Sequence, residues 1–109
     1  MQAGKLDRRI QFLRAAQVDD GLTISEVWAV HGSPIWASRQ DVSDGEKARS
    51  GMTMATVMAR FTVRSSLFTR SITARDRLTE GGRTFEIVGI KEIGRRDGLE
   101  ITAVGRTDQ

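Results

Sequence analysis

The sequence predicts an all-β fold, a small barrel or sandwich of about six short antiparallel strands with one long polar loop and a short helical turn. Three observations lead there. Gly81-Gly82 is a two-residue turn signal between the run Arg77-Leu78-Thr79 and the run in which Phe85 and Ile87 alternate with Thr84 and Glu86. Val57 to Arg64 alternates over its whole length, with Val57, Ala59, Phe61 and Val63 on one face and Met58, Arg60, Thr62 and Arg64 on the other. Near the end, Leu99, Ile101 and Ala103 alternate with Glu100 and Thr102 behind an Arg95-Arg96-Asp97-Gly98 turn.

Taken in order, Met1 to Lys5 reads as a loose end. Arg8 to Arg14 is a first strand with Ile10 and Phe12 on one face. Val18-Asp19-Asp20-Gly21 is a turn, because Asp and Gly favour the backbone shapes that reverse a chain. Leu22 to Val30 is extended, and His31-Gly32-Ser33-Pro34 breaks or kinks it, since Pro34 has no N–H for a ladder. Ile35 to Ala37 resumes the apolar segment. Arg39 to Met54 is polar, holds Gly45 and Gly51 and lacks a period of two; it reads as a long loop in which Ser43, with Glu46 three positions on, is able to cap a helical turn. Ile72-Thr73 reads as a short strand before the central hairpin. Gly89 marks a bulge, because the apolar side switches after Val88. Ile90 to Val104 is a closing hairpin, and Gly105 to Gln109 a polar, flexible tail. The expected core is Ile10, Phe12, Trp28, Trp36, Phe61, Val63, Phe85, Ile87, Leu99 and Ile101.

A length of 109 residues fits one domain, 1–109, and 39% hydrophobic against 28% charged residues fits a globular chain with a modest core. No apolar run is long enough to span a membrane, and Lys5, Asp7, Arg8 and Arg9 interrupt any signal-peptide stretch. With no cysteine, disulfides and Cys-based zinc sites are excluded. Charge is uneven: seven Lys/Arg balance seven Asp/Glu in residues 1–54, and ten stand against seven in residues 55–109. The excess admits contact with nucleic acid, although the basic side chains are scattered among acids rather than clustered.

Chemistry is hard to find. The single histidine, His31, has no Cys or His-Glu-x-x-His partner for a metal, and Gly81-Gly82-Arg83 is not a phosphate loop. Asp41, Asp44 and Glu46 lie among Arg39, Lys47 and Arg49 without the spacing of a calcium loop. No catalytic residue, metal ligand or cofactor is expected. Trp28 and Trp36 read as core or semi-buried packing residues, with a partner-facing role as the sharper alternative. Arg60 and Arg64 are either exposed surface or a subunit contact.

Read together, Gly4-x-Leu6-Asp7-Arg8-Arg9-Ile10, Asp20-Gly21, Trp28, Trp36-Ala37, Gly45-Glu46 with Ala48, Arg64, Ile72-Thr73, Arg77-Leu78, Gly82, Phe85-x-Ile87 and Leu99-x-Ile101 make an ordered set. It resembles the phage head-tail joining proteins, the head closure or stopper proteins of tailed phages, with similar proteins in gene transfer agents. Gly32-Ser33-Pro34 and Val42-Ser43 depart from that pattern. The resemblance implies a structural virion protein. It implies a ring of about twelve subunits beneath the portal and its adaptor, in the closed symmetry common to homo-oligomers. Such a ring closes the DNA channel after packaging and offers the tail a docking surface. The expected partners are portal, adaptor and tail proteins, further copies of the chain and nearby packaged DNA, with no membrane. The expected location is the virion, with assembly in the host cytoplasm. By the same resemblance Arg39, Asp41, Asp44, Glu46, Lys47 and Arg49 lie on a loop that reaches the channel. Arg8, Arg9, Arg60 and Arg64 are candidates to face a neighbour or DNA. The alternative function is a small basic β-barrel that binds nucleic acid, which wants aromatics interleaved with basic residues on one face.

Overall fold

A computed structural model of the chain describes residues 6–53 and 56–106. The readings at Met1–Lys5, Met54 and the last three residues of the tail lie outside that range. Six strands appear: β1 (Arg8–Asp19), β2 (Ile24–Asp41), β3 (Met58–Arg64), β4 (Arg77–Glu80), β5 (Arg83–Ile93) and β6 (Gly98–Gly105). One short helix, α1 (Asp44–Arg49), follows β2, and a 3-10 turn covers Thr69–Ser71. All pairings are antiparallel, and the order β1-β2-β3-β6-β5-β4 returns to β1, so the strands form one closed, barrel-like ring.

Alternation along the strands builds the core. Ile10, Phe12, Ala37, Ala59, Phe61, Val63, Leu78, Phe85, Ile87, Leu99, Ile101 and Ala103 face inward and pack as one cluster with Ile72. Phe61 and Phe85 meet edge to face with centroids 5.2 Å apart. Gly81 and Gly82 join β4 to β5 with φ of 59° and 81°, the left-handed pair that suits a two-residue hairpin. A bulge between Ile87 and Gly89 turns β5 over, so that Ile90 packs against the core.

The structure departs from the sequence reading at several places. His31–Pro34 do not end a strand: β2 runs on for 18 residues, and Gly32, Ser33 and Pro34 form a bulge opposite Gln11. Gln11 Nε2 donates to the carbonyls of His31 and Gly32 and holds the bulge from outside the ladder. Gly32 has φ +74°, and a Cβ there would lie 2.3 Å from Phe68 Cζ, so this turn needs a glycine. The first turn falls at residues 20–23, not at Val18, because β1 continues to Asp19. Ile72 is buried after the 3-10 turn, but Ile72-Thr73 is not a strand.

Trp36 is no core residue. Ala37 takes the inward position, which leaves Trp36 on the outer face, 52% exposed, with the Arg9 guanidinium 4.5 Å from its ring. Trp28 is half-buried under Arg77, whose guanidinium lies 3.8 Å from the ring centre.

Candidate functional site

Much of the segment that reads as a long loop is ordered. Arg39–Asp41 belong to β2, paired with Ala59–Phe61 of β3. Ser43 then caps α1, its Oγ accepting the Glu46 N–H at 3.2 Å. Acids stand in the first turn and bases in the last, which complements the helix dipole. The helix closes with Met52 N–H on the Lys47 carbonyl and Gly51 N–H on the Ala48 carbonyl, a Schellman pair. Gly45 and Gly51, read from the sequence as arguments against anything long, sit in the first turn of this six-residue helix and just past its end, where glycine costs little.

Side chains fasten this helix to the ring. Lys47 is buried, donates to the Thr56 carbonyl at 3.0 Å and lies 3.2 Å from Asp44. Glu46 pairs with Arg60, which also reaches Glu100 at 3.7 Å. The Arg60 hydrogen bond holds the Glu46 carboxyl below its ordinary pKa. Asp41, Asp44 and Arg49 point to solvent.

Arg39 is the member of that set that reaches the aromatic core. It enters the mouth of the ring, 5.5 Å from the Phe85 ring and 6.0 Å from the Phe61 ring. Its Nη1 donates to Glu80 at 3.3 Å, and its Nε to Asp41 at 2.8 Å. Burial works against its charge, yet Asp41 and Glu80 outweigh burial and hold its pKa above the usual arginine value. Arg8 approaches the same buried Glu80 at 3.5 Å. Arg39 is thus a lid on the core rather than a surface charge.

Of the arginines read as facing a neighbour or DNA, Arg8 and Arg60 are in ion pairs and Arg9 stacks on Trp36. Arg64 is exposed and, among the described residues, has no ion-pair partner. Arg9, Trp36 and Arg64 line one groove of about 320 Å³ with Leu6, Pro34 and Ile35.

Sequence reasoning missed the Arg14–Asp76 pair, 62 positions apart. Arg14 Nε and Nη2 each donate to an Asp76 oxygen at 2.9 Å, a bidentate fork, and Nη2 also donates to the Ser71 carbonyl at 3.0 Å. Burial pushes the Asp76 carboxyl up, but Arg14 and the Thr73 N–H outweigh it and hold its pKa below the usual value. No local sequence signal announces such a distant contact. His31 packs on Phe68 with centroids 5.2 Å apart, and its Nε2 is buried without a hydrogen-bond partner among the described residues. No group of three His, Cys, Asp or Glu side chains is set to hold a metal among the described residues. No helix of the described residues is long and apolar enough to cross a membrane.

The family model described as phage head completion protein matches residues 1–106. The solution structure of a protein from Shigella flexneri 2a is similar at a TM-score of 0.77 and 28% identity, covering 100% of both chains. A chain in the virion of a native gene transfer agent particle is similar at a TM-score of 0.69 and 28% identity, covering 91% of this chain and 93% of its own. No curated protein matches.

Proposed function

The chain belongs to the phage head completion protein family, and on that premise we propose that it is a structural connector of the virion. Its copies form a ring below the portal and adaptor, close the DNA channel after packaging and give the tail a docking surface. The protein works at the head-tail junction by assembly and carries out no chemical step. The observation that supports this reading best is the near whole-chain likeness to a component of a gene transfer agent virion.

The part proposed to act in the channel is residues 42–53, centred on α1. Glu46 anchors this segment to β3 and Lys47 ties it to the Thr56 carbonyl just before β3, while Asp41, Asp44 and Arg49 stay exposed beside it. Such an element presents charge toward an axis while its base stays fixed. The nucleic-acid-binding alternative draws less support: each tryptophan already has an arginine stacked against its ring, so two of the stacking surfaces such a protein needs are taken.

The test replaces Ser43–Gly51 with a short Gly-Ser linker, leaving the buried Val42 in place. The expected result is a subunit that folds and enters particles, while filled particles release DNA to added nuclease. Full DNA retention with normal incorporation would sink the gating role and leave the connector role standing.

A further inference from the structure

Past Leu13, β1 has no partner but β2, and before Ser38, β2 has none but β1. Residues 15–29 are therefore a two-stranded arm beyond the ring. A ribbon of two strands is marginal in water unless something covers it. The arm is nevertheless apolar: Leu22 is 93% exposed at its tip and Ile24 67%, with Val18 and Val27 also exposed and Val30 exposed at its base. The register puts Val18 and Val27 on one face of the arm and Ile24 and Val30 on the other, so both faces carry exposed apolar side chains, a surface of the kind that marks a contact site. The arm carries Asp19, Asp20 and Glu26 and no Lys or Arg, a charge of −3 on a chain whose net charge is +3. Hydrogen bonds from the Thr23 and Leu22 N–H groups keep Asp20 ionised by holding its pKa low.

The groove beside Trp36 has the complementary character. Its walls are Leu6, Pro34, Ile35 and the exposed Trp36 ring, and its charges are Arg9 and Arg64. Leu67, 85% exposed, adjoins the groove residue Ser66. The arm cannot reach this groove in its own chain, because Ile24 and Trp36 pair with Asp19 and Arg9, which lie about 33 Å apart along β1.

We propose that the arm of one copy lies in the Trp36 groove of the next copy. Acid meets base and apolar meets apolar, and the acidic arm is unsuited to phosphate. Because the two patches differ, the contact repeats head to tail, the geometry that closes into a ring. The inference rests on the ring reading given above and names its subunit contact.

The chain has no cysteine, so introduced thiols are unique. In assembled particles, the double variant L22C/L67C treated with a short bismaleimide is expected to give a ladder of covalent multimers, and each single variant none. Dimers from L22C alone would mean arm-on-arm pairing, and a link from L22C to another virion protein would mean a different occupant; either overturns the proposal. An intact ring in electron micrographs without a ladder overturns it while sparing the ring. Absence of any ring defeats both. As a second measurement, E26R and R64E are each expected to weaken self-association about tenfold and, combined, to restore it to within about twofold. Thermal melting verifies that both variants fold, and self-association unchanged in either single variant refutes the charge match.

Discussion

The β4–β5 hairpin and the outer β1–β2 hairpin are both antiparallel ribbons closed by a short turn, and they differ in what flanks them. β4 pairs with β1 and β5 pairs with β6, so Leu78, Phe85 and Ile87 are buried inside the ring. The outer part of β1–β2 has solvent at both edges and keeps Leu22, Ile24 and Val27 exposed. Pairing alone therefore does not decide burial. A strand is stabilised when its second edge and one face are also covered, and the arm beyond Trp28 lacks both in the isolated chain.

The comparison breaks if the two hairpins respond alike to truncation. Phe61→Ala or Phe85→Ala is expected to cost about 3–5 kcal/mol in denaturant melts, since each ring is fully buried and meets the other. Leu22→Ala is expected to stay within about 0.5 kcal/mol of the parent, as substitutions away from packed features do. A loss above that in the free subunit would show that the arm is packed after all.

A smaller effect separates the foot of the arm from its tip. Asp76→Ala strands Arg14, and the expected cost is about 2 kcal/mol, below that of a fully buried pair because Arg14 is partly exposed. The pH dependence follows from the depressed Asp76 pKa. Folding favours the ionised carboxyl, so its stabilisation is complete above the unfolded value of about 3.9 and is lost as pH falls through the lower folded value. Chemical melts between neutral pH and pH 2 should therefore converge for parent and D76A at the acid end. Curves that stay parallel down to the lowest pH would refute this account.

The smallest effect concerns α1. Glu46→Gln removes the charge facing Arg60, and the pair is substantially exposed on both sides. The expected loss is small and shrinks in high salt. A large, salt-insensitive loss would mean that the helix is part of the core rather than fastened beside it.

Local patterns made the ring of strands legible. The Gly81-Gly82 turn, the alternation at Val57–Arg64 and the bulge at Gly89 are contained in a few neighbouring residues each. The Ser43–Glu46 cap was legible for the same reason, and Gly45 and Gly51 pointed to the shortness of α1. Pro34 suggested a break because it lacks an N–H, but inside a bulge no ladder bond is asked of it. Trp36 suggested core because of its size, and a small neighbour, Ala37, took the inward place instead. The candidate site was less legible than the fold. Arg39 and Glu80 are 41 positions apart and Arg14 and Asp76 are 62 apart, and nothing local selects such partners.

The bulge at Gly32–Pro34 has a consequence of parity. From Ile10 to Phe12, β1 advances two residues while β2 passes four, from Ile35 to His31. The surplus is even, so inward and outward sides are conserved through the bulge, and Trp28 and Trp36 keep to the same side of β2. At β5 the surplus is odd, two residues against one, and the sides exchange. Removing one residue from 32–34 would convert the first case into the second. The alternation would then exchange along β2 alone; the arm would keep its presentation, because β1 passes this level without an extra residue and each β2 residue shares the side of its β1 partner. The unbroken β1 strand thus fixes which way the arm faces, and the bulge in β2 absorbs differences in length.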